Sequence, residues 1–188
     1  LNIKRKAEEA EAEHMDFITE LTASHFEGDD DDADDEVDDK GISREEMLEA
    51  VKKDGYELKD ADDSFKADRE VVLEAVKQYG LALDYADDSL QADRELVLEA
   101  VKQDGYALEY ADSTLKADRE VVLEAIRCEH RGKALMFADD SLKADRELVL
   151  EAVKQNGEAL ENADDALKAD REVVLAAVRC AHNGYALE

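Results

Sequence analysis

Residues 93–117 read D-R-E-L-V-L-E-A-V-K-Q-D-G-Y-A-L-E-Y-A-D-S-T-L-K-A, and the same pattern recurs with small changes from Ser43 to Glu188. The copies open at Ser43, Asp68, Asp93, Asp118, Asp145 and Asp170. Self-similarity at such a regular interval is the signature of a repeat protein. The sequence therefore predicts six repeats, the last incomplete, over 43–67, 68–92, 93–117, 118–144, 145–169 and 170–188.

Each repeat is predicted to form two short helices. Asp93 suits the N-cap, because its carboxylate accepts hydrogen bonds from the first-turn amides, so the first helix should begin one residue later. Gly105 predicts a left-handed helix end. In the second helix, Leu108, Ala111 and Leu115 share one face by their i, i+3, i+7 spacing. Helices this short need neighbours, so the predicted fold class is all-α, an α-solenoid of stacked repeats.

Two small or apolar positions are the same in every repeat. Leucine stands sixth, at Leu48, Leu73, Leu98, Leu123, Leu150 and Leu175. Alanine stands eighth, at Ala50, Ala75, Ala100, Ala125, Ala152 and Ala177. We expect the leucine to be buried between repeats, because each repeat of a solenoid covers the apolar face of the next. The alanine should let neighbouring helices approach closely.

The pattern D-R-E-x-V-L-E-A-V-K-Q-x-G-x-A-L-x-x-A-D-x-x-L-K resembles the short repeats of the domain of unknown function 4116 family. The resemblance covers residues 43–188. It implies an array of helices that mediates binding. The family has no established activity, so the resemblance carries over no cofactor and no catalytic residue.

The charge of the chain restricts its partners. Asp and Glu number 52 against 24 Lys and Arg, which gives a net charge of −28. This charge opposes binding to the phosphate backbone of nucleic acids and direct binding to anionic membranes. The expected partner is a protein with a basic surface.

The N-terminal part is predicted to differ from the repeats. Residues 1–27 contain good helix formers and predict a helical segment, which either covers the first repeat or docks on another protein. Residues 28–42 form an acidic linker, with nine acidic residues among the eleven from Asp29 to Asp39. Such a block repels itself and is expected to be disordered.

A calcium loop is an alternative use of this acidic stretch. Asp35, Asp39 and Glu46 fall at positions one, five and twelve of an EF-hand loop. Position three is Val37, which has no ligand oxygen, and position six is Lys40, where the loop needs glycine. The simpler interpretation is that Ser43 and Glu46 form a capping box at the start of the first repeat helix.

Aromatic residues occupy variable positions within the repeats. Tyr85, Tyr110 and Phe137 are equivalent to one another, and Tyr106 follows its glycine as Tyr56 and Leu81 follow theirs. Variation within a fixed frame is typical of positions that select a partner, so Tyr85, Tyr106, Tyr110 and Phe137 are the candidate partner-binding residues. The alternative is that these rings pack between repeats, since aromatic side chains readily bury large areas.

No catalytic or metal site is predicted. The pairs Cys128 with His130 and Cys180 with His182 each supply only two ligands, and zinc takes about four. Charged residues recur as ladders, such as Arg94 and Glu95 with their equivalents, and such ladders are usually solvated faces with weak ion pairs. The sequence therefore predicts a non-enzymatic scaffold or protein-binding module, alone or as a subunit of an assembly. The alternative function is a calcium-responsive protein that uses residues 35–46.

Overall fold

The computed structural model describes residues 41–128 and 133–185, with the backbone alone over 181–185, and contains no β-strand in these ranges. The first helices of the repeats span Arg44–Lys53, Arg69–Gln78, Arg94–Gln103, Arg119–Arg127, Arg146–Gln155 and Arg171–Tyr185. The 3₁₀ helices that follow span Gly55–Asp60, Gly80–Tyr85, Gly105–Tyr110, Lys133–Phe137 and Gly157–Asn162. The one-turn helices span Asp63–Lys66, Asp88–Gln91, Ser113–Lys116, Asp140–Lys143 and Asp165–Lys168. The predicted all-α repeat array is confirmed.

The first helices begin where the sequence predicts. Asp93 Oδ1 accepts from the amides of Glu95 at 3.0 Å and Leu96 at 3.1 Å, and the helix starts at the next residue. Asp68, Asp118, Asp145 and Asp170 make the same pair of bonds in their repeats. Satisfying two otherwise unpaired amides fixes the helix start at the same place in each repeat.

The second predicted helix is divided into two. It begins as a 3₁₀ helix at Gly105, and the backbone then extends at Ala111 (φ −68°, ψ 153°). Asp112 caps a new one-turn helix by accepting from the Thr114 amide at 2.8 Å, so an N-cap interrupts the predicted helix. Leu108, Ala111 and Leu115 are all buried nevertheless, as their spacing predicts.

Gly105 does not have the left-handed conformation predicted for the helix end, so that prediction is wrong. Among the described glycines only Gly41 has a positive φ, of 79°. The first helix of the third repeat instead ends with Asp104 in an extended conformation. Gly105 is required for close approach, because a Cβ there would lie 2.4 Å from the carbonyl oxygen of Ala125 in the next repeat.

The apolar core lies one or two residues away from the predicted leucine. Leu96, Val97, Ala100 and Val101 are fully buried. Leu98 is only half-buried, as are the equivalent Leu73, Leu123 and Leu150. At 3.6 residues per turn the four buried side chains share one face, and Leu98 points to its flank. The leucine that recurs at this position is therefore a rim residue in the second to fifth repeats, whereas Leu48 of the first repeat is buried as predicted.

Repeats stack through backbone hydrogen bonds as well as through apolar side chains. The amide of Asp112 donates to the carbonyl oxygen of Gln91, in the preceding one-turn helix, at 2.9 Å. The equivalent bonds join Asp87 to Lys66, Asp139 to Lys116 and Asp164 to Lys143, each at 2.9 Å. Neighbouring 3₁₀ helices also contact one another from the first repeat to the fifth.

Within the described residues, no helix is both long and apolar enough to cross a membrane.

The sixth repeat departs from the common pattern. Its helix continues to Tyr185, past the glycine at which the other first helices have already ended. Leu175 and Val178 on this helix are 38% and 46% exposed, whereas Val101, equivalent to Val178, is fully buried. The predicted helical segment 1–27 and most of the linker 28–42 lie outside the described residues.

Candidate functional site

The 3₁₀ helices place two rows of variable residues on the surface of the array. One row is formed by the residue after each glycine and contains Tyr56, Leu81 and Tyr106. The other is formed by the last residue of each 3₁₀ helix and contains Tyr85, Tyr110 and Phe137. All six side chains are half-buried, so each keeps surface that a partner can contact. We call these two rows the aromatic face.

Rings of the aromatic face contact each other across repeat junctions. Tyr56 meets Tyr85 edge-on, with ring centroids 5.9 Å apart. Tyr106 meets Phe137 in the same way, also at 5.9 Å. Such edge-to-face pairs are favourable because the positive edge of one ring faces the negative face of the other. The structure thus brings together two of the four predicted partner-binding residues, and their role in binding stays a prediction.

Tyr79 belongs to the same cluster and was not predicted. Its ring centroid lies 6.1 Å from that of Tyr56. Equivalent positions carry Asp54, Asp104 and Asn156, whose side chains cap the following 3₁₀ helix, whereas Tyr79 makes no cap bond. The tyrosine at this capping position makes no cap hydrogen bond, and its ring packs against Tyr56 instead. The change of residue type at a capping position is the feature of the sequence that distinguishes Tyr79.

Carboxylates surround the tyrosines. Burial, followed by the neighbouring Tyr56 and Tyr79, raises the pKa of Tyr85 to about 12. Burial also raises the pKa of Tyr79 and of Tyr110, and the charges of Asp84 and Asp104 act on both phenols in the same direction. Tyr79, Tyr85 and Tyr110 therefore stay neutral at physiological pH.

One ammonium group already sits on the aromatic face. Lys59 Nζ donates to Tyr56 Oη at 2.8 Å and lies 5.0 Å from the centre of the same ring. This hydrogen bond is the largest cause of the raised pKa of Lys59. The two residues are three apart in a 3₁₀ helix, where side chains at i and i+3 eclipse. The geometry shows that a cation fits at the hydroxyl end of a ring of this face.

A ladder of ion pairs runs along the first helices and crosses every junction from the second repeat to the sixth. Arg69 Nε donates to Asp93 Oδ2 at 2.6 Å, and its Nη2 donates to Glu95 Oε2 at 3.0 Å. Arg94, Arg119 and Arg146 make the equivalent pairs with the following repeat. The hydrogen bond from Arg69 is the largest cause of the lowered pKa of Asp93, and Arg94 acts likewise on Asp118. The ladder is on the surface, as predicted, but it joins neighbouring repeats.

The residues of the alternative calcium loop are only partly described. Ser43 and Glu46 form the expected capping box: Glu46 Oε2 accepts from the Ser43 amide at 2.9 Å, and Ser43 Oγ accepts from the Glu46 amide at 3.3 Å. Asp35 and Asp39 lie outside the described residues. Over the described parts of the chain, no group of three or more His, Cys, Asp or Glu side chains is arranged to hold a metal ion.

The cysteines of the two insertions do not meet. Neither Cys128 nor Cys180 forms a disulfide. Cys128 Sγ lies 3.6 Å from the carbonyl oxygen of Lys102, at the end of the first helix of the preceding repeat. His130 lies outside the described residues, and so does the side chain of His182. Cys128 thus contacts the end of a neighbouring helix.

Comparison with known proteins identifies the repeats. A family model described as Domain of unknown function (DUF4116) matches residues 43–91, 93–143, 127–168 and 145–188. The matches overlap, as expected where one family unit recurs at a short interval. No curated protein and no solved structure matches the chain.

Proposed function

From the premise that this chain belongs to the DUF4116 family, we propose that it is a protein-binding scaffold without catalytic function. The proposal concerns the array of repeats and its aromatic face. In this function the array holds variable side chains at fixed spacing, and a partner protein binds along them. The partner carries basic groups, because the chain carries a net charge of −28.

One observation supports this function: the junctions between repeats are nearly identical, while the residues displayed above them differ. The four backbone hydrogen bonds between one-turn helices all measure 2.9 Å. Glycines at four junctions would each place a Cβ 2.2–2.6 Å from the alanine carbonyl of the next repeat. The row after the glycine nevertheless reads Tyr56, Leu81, Tyr106, Lys133 and Glu158. A constant frame with changing surface residues is how repeat proteins build extended binding surfaces.

The charge distribution favours a protein partner over nucleic acid or an anionic membrane. Binding of nucleic acid depends on lysine and arginine that neutralise phosphates. In the described repeats, arginines 69, 94, 119 and 146 are instead paired with carboxylates of the neighbouring repeat. The exposed surface near the aromatic face carries Asp84 and Glu109, which attract basic groups.

Site-specific crosslinking tests the proposal. A photo-reactive phenylalanine is placed at position 110 on the aromatic face, and at position 95 as a control, where the Glu95 side chain is 87% exposed. Each variant is irradiated in an extract of the native source, and its adducts are identified by mass spectrometry. We expect a discrete protein adduct at position 110 that position 95 does not give. Identical adducts at both positions, or none at position 110, would contradict the scaffold function.

A further inference from the structure

The aromatic face contains two equivalent ring pairs that differ in one charge. The pair Tyr56–Tyr85 joins the first and second repeats, and the pair Tyr106–Phe137 joins the third and fourth. Lys59 Nζ lies beside the hydroxyl of Tyr56 in the first pair, and Glu109 occupies the same sequence position in the third repeat. The first pair therefore holds an ammonium from its own chain, and the second has a carboxylate at the corresponding place.

We propose that the Tyr106–Phe137 pair, together with Glu109, binds a lysine or arginine side chain from a basic segment of the partner protein. The inference rests on the proposed function and specifies its contact. The partner cation takes the place at the Tyr106 hydroxyl that Lys59 takes at the Tyr56 hydroxyl. A cation there donates to the phenol oxygen and to the neighbouring carboxylate, and the second of these bonds is charge-assisted.

The helix geometry places both parts of this site on one side. Tyr106 and Glu109 are three residues apart in the 3₁₀ helix Gly105–Tyr110, as Tyr56 and Lys59 are in theirs. Side chains at this spacing eclipse in a 3₁₀ helix. Glu109 is exposed, whereas Tyr106 is half-buried and fixed against Phe137. The ring is thus oriented in advance, and the carboxylate is accessible.

The neighbouring charges favour a cation. Asp104 caps the 3₁₀ helix, its Oδ1 accepting from the Tyr106 amide at 2.9 Å, and its carboxylate adds negative charge at the base of the ring. Lys133, the next residue in the row after the glycines, pairs with Glu158, with Nζ and Oε2 3.0 Å apart. Glu158 therefore offsets the positive charge of Lys133, which is the one lysine in this row among the described repeats.

A basic peptide provides the direct test. The probe is a fluorescent dodecapeptide of alternating arginine and serine, and its control replaces each arginine by neutral citrulline. Binding to the full chain is followed by fluorescence anisotropy. We expect saturable binding of the arginine peptide and at least about tenfold weaker binding of the citrulline peptide, as loss of the cation removes the charge-assisted bond to the carboxylate.

Two matched charge reversals separate a defined site from general electrostatic attraction. Glu109→Lys places an ammonium at the Tyr106 hydroxyl, as Lys59 lies at that of Tyr56, and should weaken binding about five- to tenfold. Glu161→Lys makes the same charge change in the fifth repeat, where Glu158 stands at the position of Tyr106, and should weaken it only about twofold. Lys59→Glu should strengthen binding, because it replaces the ammonium beside the Tyr56 hydroxyl by a carboxylate. Unchanged thermal unfolding shows that each variant is folded.

The outcomes decide between this site and its alternatives. Equal weakening by Glu109→Lys and Glu161→Lys would overturn the site in favour of diffuse attraction. No binding of the arginine peptide by the unmodified chain would overturn it as well. Neither result contradicts the scaffold function. That function is tested separately, by the crosslinking at positions 110 and 95.

Discussion

Arg94 donates from Nε to Oδ2 of Asp118, the N-cap of the next repeat, over 2.8 Å. The other oxygen of the same carboxylate accepts from the amide of Glu120 at 2.9 Å. One side chain therefore both starts a helix and holds the preceding repeat against it. Local helix formation and stacking are linked at this residue, and the same arrangement recurs at Asp93, Asp145 and Asp170.

Two substitutions of Asp118 separate its functions. Asp118→Asn keeps a cap acceptor and removes the charged partner of Arg94, so it should cause only a small loss of stability, as expected for an exposed ion pair. Asp118→Ala removes the cap as well and should cost about 0.5–2 kcal/mol more. Urea denaturation measures both. Equal losses in the two variants would mean that the cap contributes nothing.

Acidification should destabilise the array through these capping carboxylates. The hydrogen bond from Arg69 lowers the pKa of Asp93, and the one from Arg94 lowers that of Asp118. At the one-turn helix Asp88–Gln91, the hydrogen bond from the Ser89 hydroxyl lowers the pKa of the N-cap residue Asp87. A carboxyl group with a lower pKa in the folded state stabilises fully above its unfolded value, about 3.9, and loses that contribution as the pH falls through the folded value.

The acid prediction is checked by denaturant melts at several pH values. We expect the free energy of unfolding to decline below about pH 4 and to keep declining as the pH falls further. The Asp118→Asn variant, which has one such group fewer, should show a shallower decline. A stability that stays constant from neutral pH to pH 3, or the same slope in the variant, would contradict the linkage.

The sequence predicts the contents of one repeat better than the contacts between repeats. The start of each first helix and the burial of Leu108 follow from local capping and spacing, and both are confirmed. The ion pair of Arg94 with Asp118 and the ring contact of Tyr106 with Phe137 depend on how one repeat is rotated and shifted relative to the next. That relation is set by tertiary packing, which no periodicity within a repeat specifies.

The dependence on tertiary packing also explains why the sequence does not identify Tyr79 and why it places Leu98 in the core. Four rings of the aromatic face were identified by comparing equivalent positions, but Tyr79 was missed because it occupies a capping position. Leu98 was expected in the core because it is invariant among the repeats, yet invariance does not distinguish a core residue from a rim residue. Its half-burial follows from the helix face that the neighbouring repeat covers.

The corrected core leads to a comparison of two leucines on one helix. Leu96 is fully buried, and Leu96→Ala should cost about 2–5 kcal/mol. Leu98 is half-buried, and Leu98→Ala should cost about 1 kcal/mol, in proportion to the smaller apolar area it covers. Leu148 and Leu150 form the same pair in the fifth repeat and serve as a replicate. Equal losses within either pair, measured in urea, would refute the assignment of the core face.

Close approach at the glycines predicts a local effect of Gly105→Ala. The added Cβ would lie 2.4 Å from the backbone oxygen of Ala125, so the third and fourth repeats must separate, at a cost of about 1–3 kcal/mol. Amide exchange should accelerate at Asp139, whose amide donates across this junction to Lys116. Asp87, at the junction of the first two repeats, should change less.

Gly41→Ala is the control for this substitution. A Cβ at Gly41 would meet nothing within 4 Å, so exchange at Asp139 should not change, although the positive φ there adds some local strain. Acceleration at Asp139 in both variants, or in neither, would show that the glycine contact does not hold the junction together.

Calcium provides the last test, since it separates the capping box from the EF-hand alternative. Glu46 Oε2 accepts from both the amide and the hydroxyl of Ser43, and a glutamine at this position can still accept one of these bonds. Glu46→Gln should therefore change stability little, whereas Ser43→Ala should cost about 0.5–2 kcal/mol. We expect urea melts of the wild-type chain to coincide in calcium and in chelator, because Glu46 is already committed to the helix start. A stabilisation by calcium that Glu46→Gln abolishes would instead assign residues 35–46 to a metal loop, because position twelve of such a loop needs a carboxylate that binds through both oxygens.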